Sequence, residues 1–149
     1  MSILQMILMA STLISPIQPG ESLPPLKGEF LTGRQAQLPD AASGRKDFDS
    51  NSQVTFYEIP MIGGMARLGK LFIDSGMRKG TPRSDQENVI TVYGSTDTWK
   101  QRIGFQAPDA AYLVLLDKHG VVRWRHSGAF DEEAYRDLHA QISALLREP

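Results

Sequence analysis

The stretch from Ala111 to Arg147 constrains the fold more than any other part of the sequence. Tyr112–Leu116 is a continuous apolar run of strand length, which predicts a strand buried on both faces. Asp117-Lys118-His119-Gly120 is turn chemistry, with the aspartate as the capping acceptor, and Val121–His126 reads as the return strand. Asp131–Arg147 is then the clearest helix of the chain. Tyr135, Leu138, Ile142 and Leu145 form its apolar stripe, and Asp131, Glu132 and Glu133 suit the positive end of its dipole. Strand, tight turn, strand, helix is therefore fixed for the C-terminal part.

The preceding residues extend the pattern. Leu26–Pro39 predicts a hairpin about Thr32-Gly33, with Phe30, Leu31, Ala36 and Leu38 as its apolar positions. Ala41–Ser52 is polar, with Ser43-Gly44 and Asp49-Ser50-Asn51 as turn material. Val54–Ile59 predicts a strand stopped by Pro60, and Met65–Met77 a helix with Met65, Leu68 and Phe72 on one face. Lys79-Gly80-Thr81-Pro82 ends that helix. Val89–Tyr93 predicts another strand, and Thr96 caps a short helix carrying Trp99 and Ile103. Alternation of this kind implies an α/β fold, a mixed sheet with helices on its faces.

The 149 residues suffice for one domain with a sizeable core. A formal net charge of −1 argues against non-specific nucleic-acid binding, which needs a concentrated positive field. With 41% hydrophobic residues, the chain can offset its conformational entropy over most of its length. Cysteine is absent, so the chain has no disulfide, thiolate nucleophile or soft metal ligand. Thiol–disulfide oxidoreductase and peroxidase chemistry are excluded.

Met1–Ile14 is uncharged and largely apolar and breaks at Ser15-Pro16. It is shorter than the roughly 20 residues a membrane-spanning helix needs. Three readings fit it: the apolar core of a secretory signal, a misassigned start, or an apolar N-terminal helix packed on the domain. No Lys or Arg precedes it and no clean small-x-small cleavage site follows. Pro16, Pro19, Gly20, Pro24 and Pro25 then form a stiff lead-in. The expected organisation is a signal segment and lead-in over 1–22 and a single domain over 23–149.

The run from Ala111 to Gly128, followed by an acidic-start helix, resembles the closing hairpin and last helix of thioredoxin-like proteins. Phe56-Tyr57-Glu58-Ile59-Pro60, Val92-Tyr93-Gly94 and Arg123-Trp124 narrow the resemblance. Together they are similar to the ATP-synthase assembly-factor family of the mitochondrial inner membrane and its bacterial relatives, a thioredoxin-like branch. The likeness runs from about Gln53 to Leu146, with a looser match in the first hairpin. It implies a thioredoxin-like mixed sheet with flanking helices and a chaperone-like assembly role at a membrane.

Three departures from the thioredoxin pattern stand out. The Cys-x-x-Cys of redox members is missing, and the position of their cis-proline falls at about Ala111, with Pro108 three residues too early. The third departure is a shortening. After Gly44-Arg45-Lys46 the chain passes through Lys46–Ser52 almost directly into the next strand. Something on the order of 25–30 residues, the length of a βα unit, is skipped. The expected fold thus lacks the first core strand and helix.

No set of residues makes a catalytic, cofactor or metal site. His119 sits in a turn, His126 shares a strand face with Trp124, and His139 lies on the polar side of the last helix; none has an acidic partner at ligand spacing. Glu58 within a strand is a general-acid candidate if buried and a rim residue if not. Gly63-Gly64 lacks the Gly-Lys-Ser/Thr ending of a phosphate loop. Arg123, Trp124 and Arg125 alternate on the return strand as a candidate protein-contact surface, the alternative being a charged, solvated strand edge. The expected function is a redox-inactive binding or assembly protein, periplasmic or otherwise exported. It would have a protein partner, no nucleic acid, no cofactor and no transmembrane span, with membrane association through the N-terminal apolar segment. The alternatives are a non-thiol enzyme using Glu58 or His126, or a shortened variant without independent function.

Overall fold

The computed structural model describes residues 14–39, 47–48, 51–94 and 96–149. The apolar run at the N-terminus up to residue 13 and the Ser43-Gly44 and Asp49-Ser50 turns lie outside the described residues.

The predicted hairpin forms strands β1 (Leu26–Phe30) and β2 (Gln35–Leu38), antiparallel, with Leu26 opposite Leu38. Period-two alternation sends Leu26, Phe30, Ala36 and Leu38 into the core. Three short elements follow: β3 (Asp47–Phe48), β4 (Asn51–Thr55), which pairs with it, and β5 (Met61–Ile62). A 3-10 segment at Gly64–Gly69 leads into helix α1 (Lys70–Gly80), and a second at Arg83–Asn88 leads into β6 (Ile90–Tyr93). The chain then forms α2 (Thr96–Ile103), β7 (Ala111–Leu116), β8 (Val122–Gly128) and α3 (Glu132–Leu145).

The main sheet is mixed, in the order β2-β1-β6-β5, with β6 antiparallel to β1 and parallel to β5. Gly28 is required where β1 crosses β6, because a Cβ there would sit 2.5 Å from Ile90 Cγ2 and 2.8 Å from the Thr91 carbonyl oxygen. Tyr57, Ile59, Met61 and Trp99 pack against the core formed by the hairpin with Ile90 and Val92. The architecture is a mixed α/β fold with flanking helices, compatible with a thioredoxin-like domain.

Three expectations change in the structure. The strand expected at Val54–Ile59 is divided. Val54 and Thr55 belong to β4, and pairing with β6 begins at Glu58, whose N–H donates to the Asn88 carbonyl at 2.8 Å. Pro60 does not stop the strand, because β6 needs only its carbonyl, which accepts from Val92 N–H at 3.0 Å. The expected helix at Met65–Met77 is a 3-10 segment followed by α1, and its apolar face points outward, with Leu68 and Phe72 exposed. Changing from three to 3.6 residues per turn alters which positions share a face. Finally, β7 is half-buried along its whole length, because among the described residues it pairs with β8 alone. Among the described residues β5 and β7 belong to separate sheets.

The C-terminal unit follows its sequence closely. Asp117 Oδ1 accepts from the N–H groups of His119 and Val121, closing the turn. Gly120 has φ +75°, and a Cβ there would lie 2.6 Å from Pro39 Cγ, so no other residue fits without displacement. Asp131 caps α3 by accepting from Ala134 N–H at 2.9 Å. Of the α3 stripe, Leu138 and Ile142 are buried, Leu145 is half-buried and Tyr135 is exposed. The lead-in is part of the domain, since Ile17 is buried and its N–H donates to the Arg102 carbonyl at 2.8 Å.

Candidate functional site

The candidate surface lies where β8 meets α3. Trp124 and His126, two residues apart on β8, project to the same side and stack, with ring centroids 5.9 Å apart and planes at 14°. Trp124 Nε1 donates to Asp137 Oδ2 at 2.6 Å, tying the indole to α3. The other end of the pair is fixed by His126 Nε2–H, which donates to the Ala129 carbonyl at 2.9 Å.

From His126 the rings continue. Phe130 meets it edge-on at 5.8 Å, Tyr135 meets Phe130 at 6.4 Å, and His139 meets Tyr135 at 5.5 Å. These are edge-to-face contacts in the favourable range for aromatic pairs. The result is a ladder of five rings from the middle of β8 across the start of α3. Phe130 and Tyr135 are 43% and 41% exposed, so the ladder presents an apolar edge to solvent.

Of the contact surface expected from sequence at Arg123, Trp124 and Arg125, only Trp124 belongs to this ladder, which also takes in His126 and His139. Arg123 forms a two-pronged pair with Glu148, Nη1 donating to Oε2 at 2.8 Å, and a second contact to Asp117 at 3.3 Å. The Arg123 pair lowers the Glu148 pKa, while Asp117 is lowered by the Val121 and His119 N–H groups and Arg123, against partial desolvation. Arg125 points elsewhere: its Nη1 donates to the Ile17 carbonyl at 2.9 Å and anchors the lead-in. Phe130 carried no sequence signal that separated it from loop material, and Tyr135 read as a core position. The i,i+4 spacing of Tyr135 and His139 is the one cue that could have joined them.

Glu58 is exposed on the rim of a cleft of about 200 Å³ lined also by Phe56, Pro82, Asp85 and Asn88. No contact joins it to His126 among the described residues, so the two do not form a site. No group of three or more His, Asp or Glu that could hold a metal occurs among the described residues.

A second polar cluster fastens α1 to the sheet. Asp74 is buried and accepts from Tyr93 Oη–H at 2.6 Å and from Lys70 Nζ, which also donates to Glu29 at 3.0 Å. Burial alone would push the Asp74 carboxyl up, but the hydrogen bonds from Lys70 and Tyr93 outweigh it and hold the pKa below the ordinary value. Burial, then the Asp74 bond, drives the Tyr93 hydroxyl up.

The family model described as ATP10 protein matches residues 25–145, from β1 to the end of α3. The chain belongs to the ATP10 protein family. This is a family of ATP-synthase assembly factors associated with the mitochondrial inner membrane or its bacterial equivalent, and membership implies a protein partner. No curated protein matches the chain. Among the described residues no helix is long and apolar enough to cross a membrane.

Proposed function

We propose that this ATP10 protein is a redox-inactive assembly factor that holds a partner polypeptide on the β8–α3 face, at a membrane or in the periplasm. The observation that carries the reading is the ring ladder, with Phe130, in the loop between β8 and α3, and Tyr135, on α3, presented to solvent. Aromatic residues on ordered elements bury much area at small entropic cost, which is why they dominate interface centres. Trp124 contributes a ring, while Arg123 and Arg125 hold β8 to the C-terminus and the lead-in. The absence of cysteine leaves binding as the activity of a family devoted to assembly. Residues 1–22 would combine an export signal with the lead-in, whose Ile17 is buried against the domain expected over 23–149.

A photo-crosslinking amino acid at Phe130, introduced into the chain in its native membranes, tests this. The expected result is a specific adduct with an ATP-synthase subunit, lost when Tyr135 is replaced by Ser. An adduct pattern identical to that from a crosslinker at Lys118, in the exposed turn, would show that the face binds nothing in particular.

A further inference from the structure

Helix α1 presents its apolar side chains to water. Phe72 is 86% exposed, Leu71 78% and Leu68 73%, the most exposed large apolar residues among those described. They stand together at the start of α1 and in the 3-10 turn before it, at spacings of three and four, and none of them enters the Lys70–Asp74–Tyr93 cluster that ties α1 to the sheet. The inward side is satisfied by polar contacts, so the outward side is not a displaced core face.

Charge identifies what covers it. Residues 64–83 hold Arg67, Lys70, Arg78, Lys79 and Arg83 against the single acid Asp74, in a chain whose formal net charge is −1. Asp74 is buried and already paired with Lys70, and Arg78 reaches back to the Leu31 carbonyl at 3.5 Å, whereas Lys79 and Arg83 are exposed at the C-terminal end of α1 and just beyond it. The nearest following acids are Asp85 and Glu87, and Glu87 lies 3.5 Å from Arg34. Apolar side chains protruding from a helix and flanked by basic residues match the chemistry of a surface that is acyl chain within and phosphate without.

We propose that α1 docks this protein on an anionic bilayer. It would lie in the plane of the membrane, with Leu68, Leu71 and Phe72 among the outer acyl carbons and Lys79 and Arg83 at headgroup phosphates. The surface is separate from the β8–α3 face, and the proposal does not depend on the assembly reading.

The chain has no cysteine, so one introduced thiol gives a unique label. The full chain carrying Phe72→Cys, labelled with an environment-sensitive fluorophore, is titrated with phosphatidylcholine vesicles with and without phosphatidylglycerol. A blue shift with the anionic vesicles is expected, and none from the same dye at Asp109→Cys on an exposed turn. This local reading separates α1 from anything the N-terminal apolar segment does. Adding Lys79→Glu and Arg83→Glu should weaken the response at least about tenfold, since each basic group at an anionic surface is worth on the order of fivefold in partitioning. Three results overturn the proposal: no shift with either vesicle, an equal shift with both, or a lipid-independent shift that grows with protein concentration. The last would mark the face as a contact between copies of the chain.

Discussion

Helices α1 and α3 are both amphipathic, yet the fold uses them in opposite senses. α3 starts from a capping aspartate and buries Ala134, Leu138 and Ile142. α1 emerges from a 3-10 segment with no side-chain cap, buries Asp74, and leaves Leu71 and Phe72 outside, as the 3-10 segment leaves Leu68. An apolar stripe therefore says that a helix has an apolar neighbour, without saying that the neighbour is in the same chain. What holds α1 in place is a salt-bridged and hydrogen-bonded cluster; what holds α3 is packing. The two should fail in different ways.

The largest effect is expected on the packed side. Leu138→Ala removes a buried side chain from α3, and such truncations cost about 2–5 kcal/mol according to how well the site collapses. Thermal unfolding should fall by roughly 5–15 °C. A loss below about 1 kcal/mol would mean that α3 is no better packed than α1, and the contrast would collapse.

The same contrast explains what could be read from the sequence. The stretch from Ala111 onward was legible because its signals are local: the Asp117–Gly120 turn, the Asp131 cap and the Leu138/Ile142 spacing each act within a few residues. The hairpin at Leu26–Pro39 was legible for the same reason. Burial was not, because it depends on neighbours. β6 is nearly all buried because strands pair with both of its edges, whereas the more uniformly apolar β7 is half-buried with one partner. Nothing in Ile90–Tyr93 or Ala111–Leu116 encodes that difference. The ring ladder was half visible, through Trp124 and His126, while Phe130 joins it only through the path the chain takes between β8 and α3.

An intermediate effect is expected at the polar anchor of α1. Asp74→Ala strips Tyr93 of its acceptor and Lys70 of one of its two, and should cost about 1–3 kcal/mol at neutral pH. The wild-type pH profile carries the same information. The folded Asp74 pKa is depressed, so its contribution is complete above the unfolded carboxylate value of about 3.9 and is lost as pH falls through the lower folded value. Lys70 runs the other way. Its pKa is raised, chiefly by the Asp74 hydrogen bond, so its contribution is complete below the unfolded lysine value and disappears as pH rises through the higher folded one. Denaturation midpoints should therefore hold level between these limits and drop at both ends. In Asp74→Asn both drops should be shallower, leaving at the acid end the part due to Asp117, Asp131 and Glu148, which are also depressed. An unchanged acid limb would mean that Asp74 does not carry the anchor.

The smallest effect is the one that separates the helices most sharply. Phe72→Ser removes an aromatic ring, a change that in a core would cost several kcal/mol, yet Phe72 projects into solvent. Stability in buffer should move by less than about 0.5 kcal/mol, in the range of ordinary surface substitutions. Serine also relieves the exposure of apolar area, so solubility at high protein concentration should rise. Chemical denaturation with an unchanged m-value would check both the size of the effect and the integrity of the fold. A large ring that contributes nothing to the folded chain is a poor candidate for a packing role. A loss of more than about 1 kcal/mol would place Phe72 inside the fold after all and remove the distinction between a helix that closes the domain and one that faces away from it.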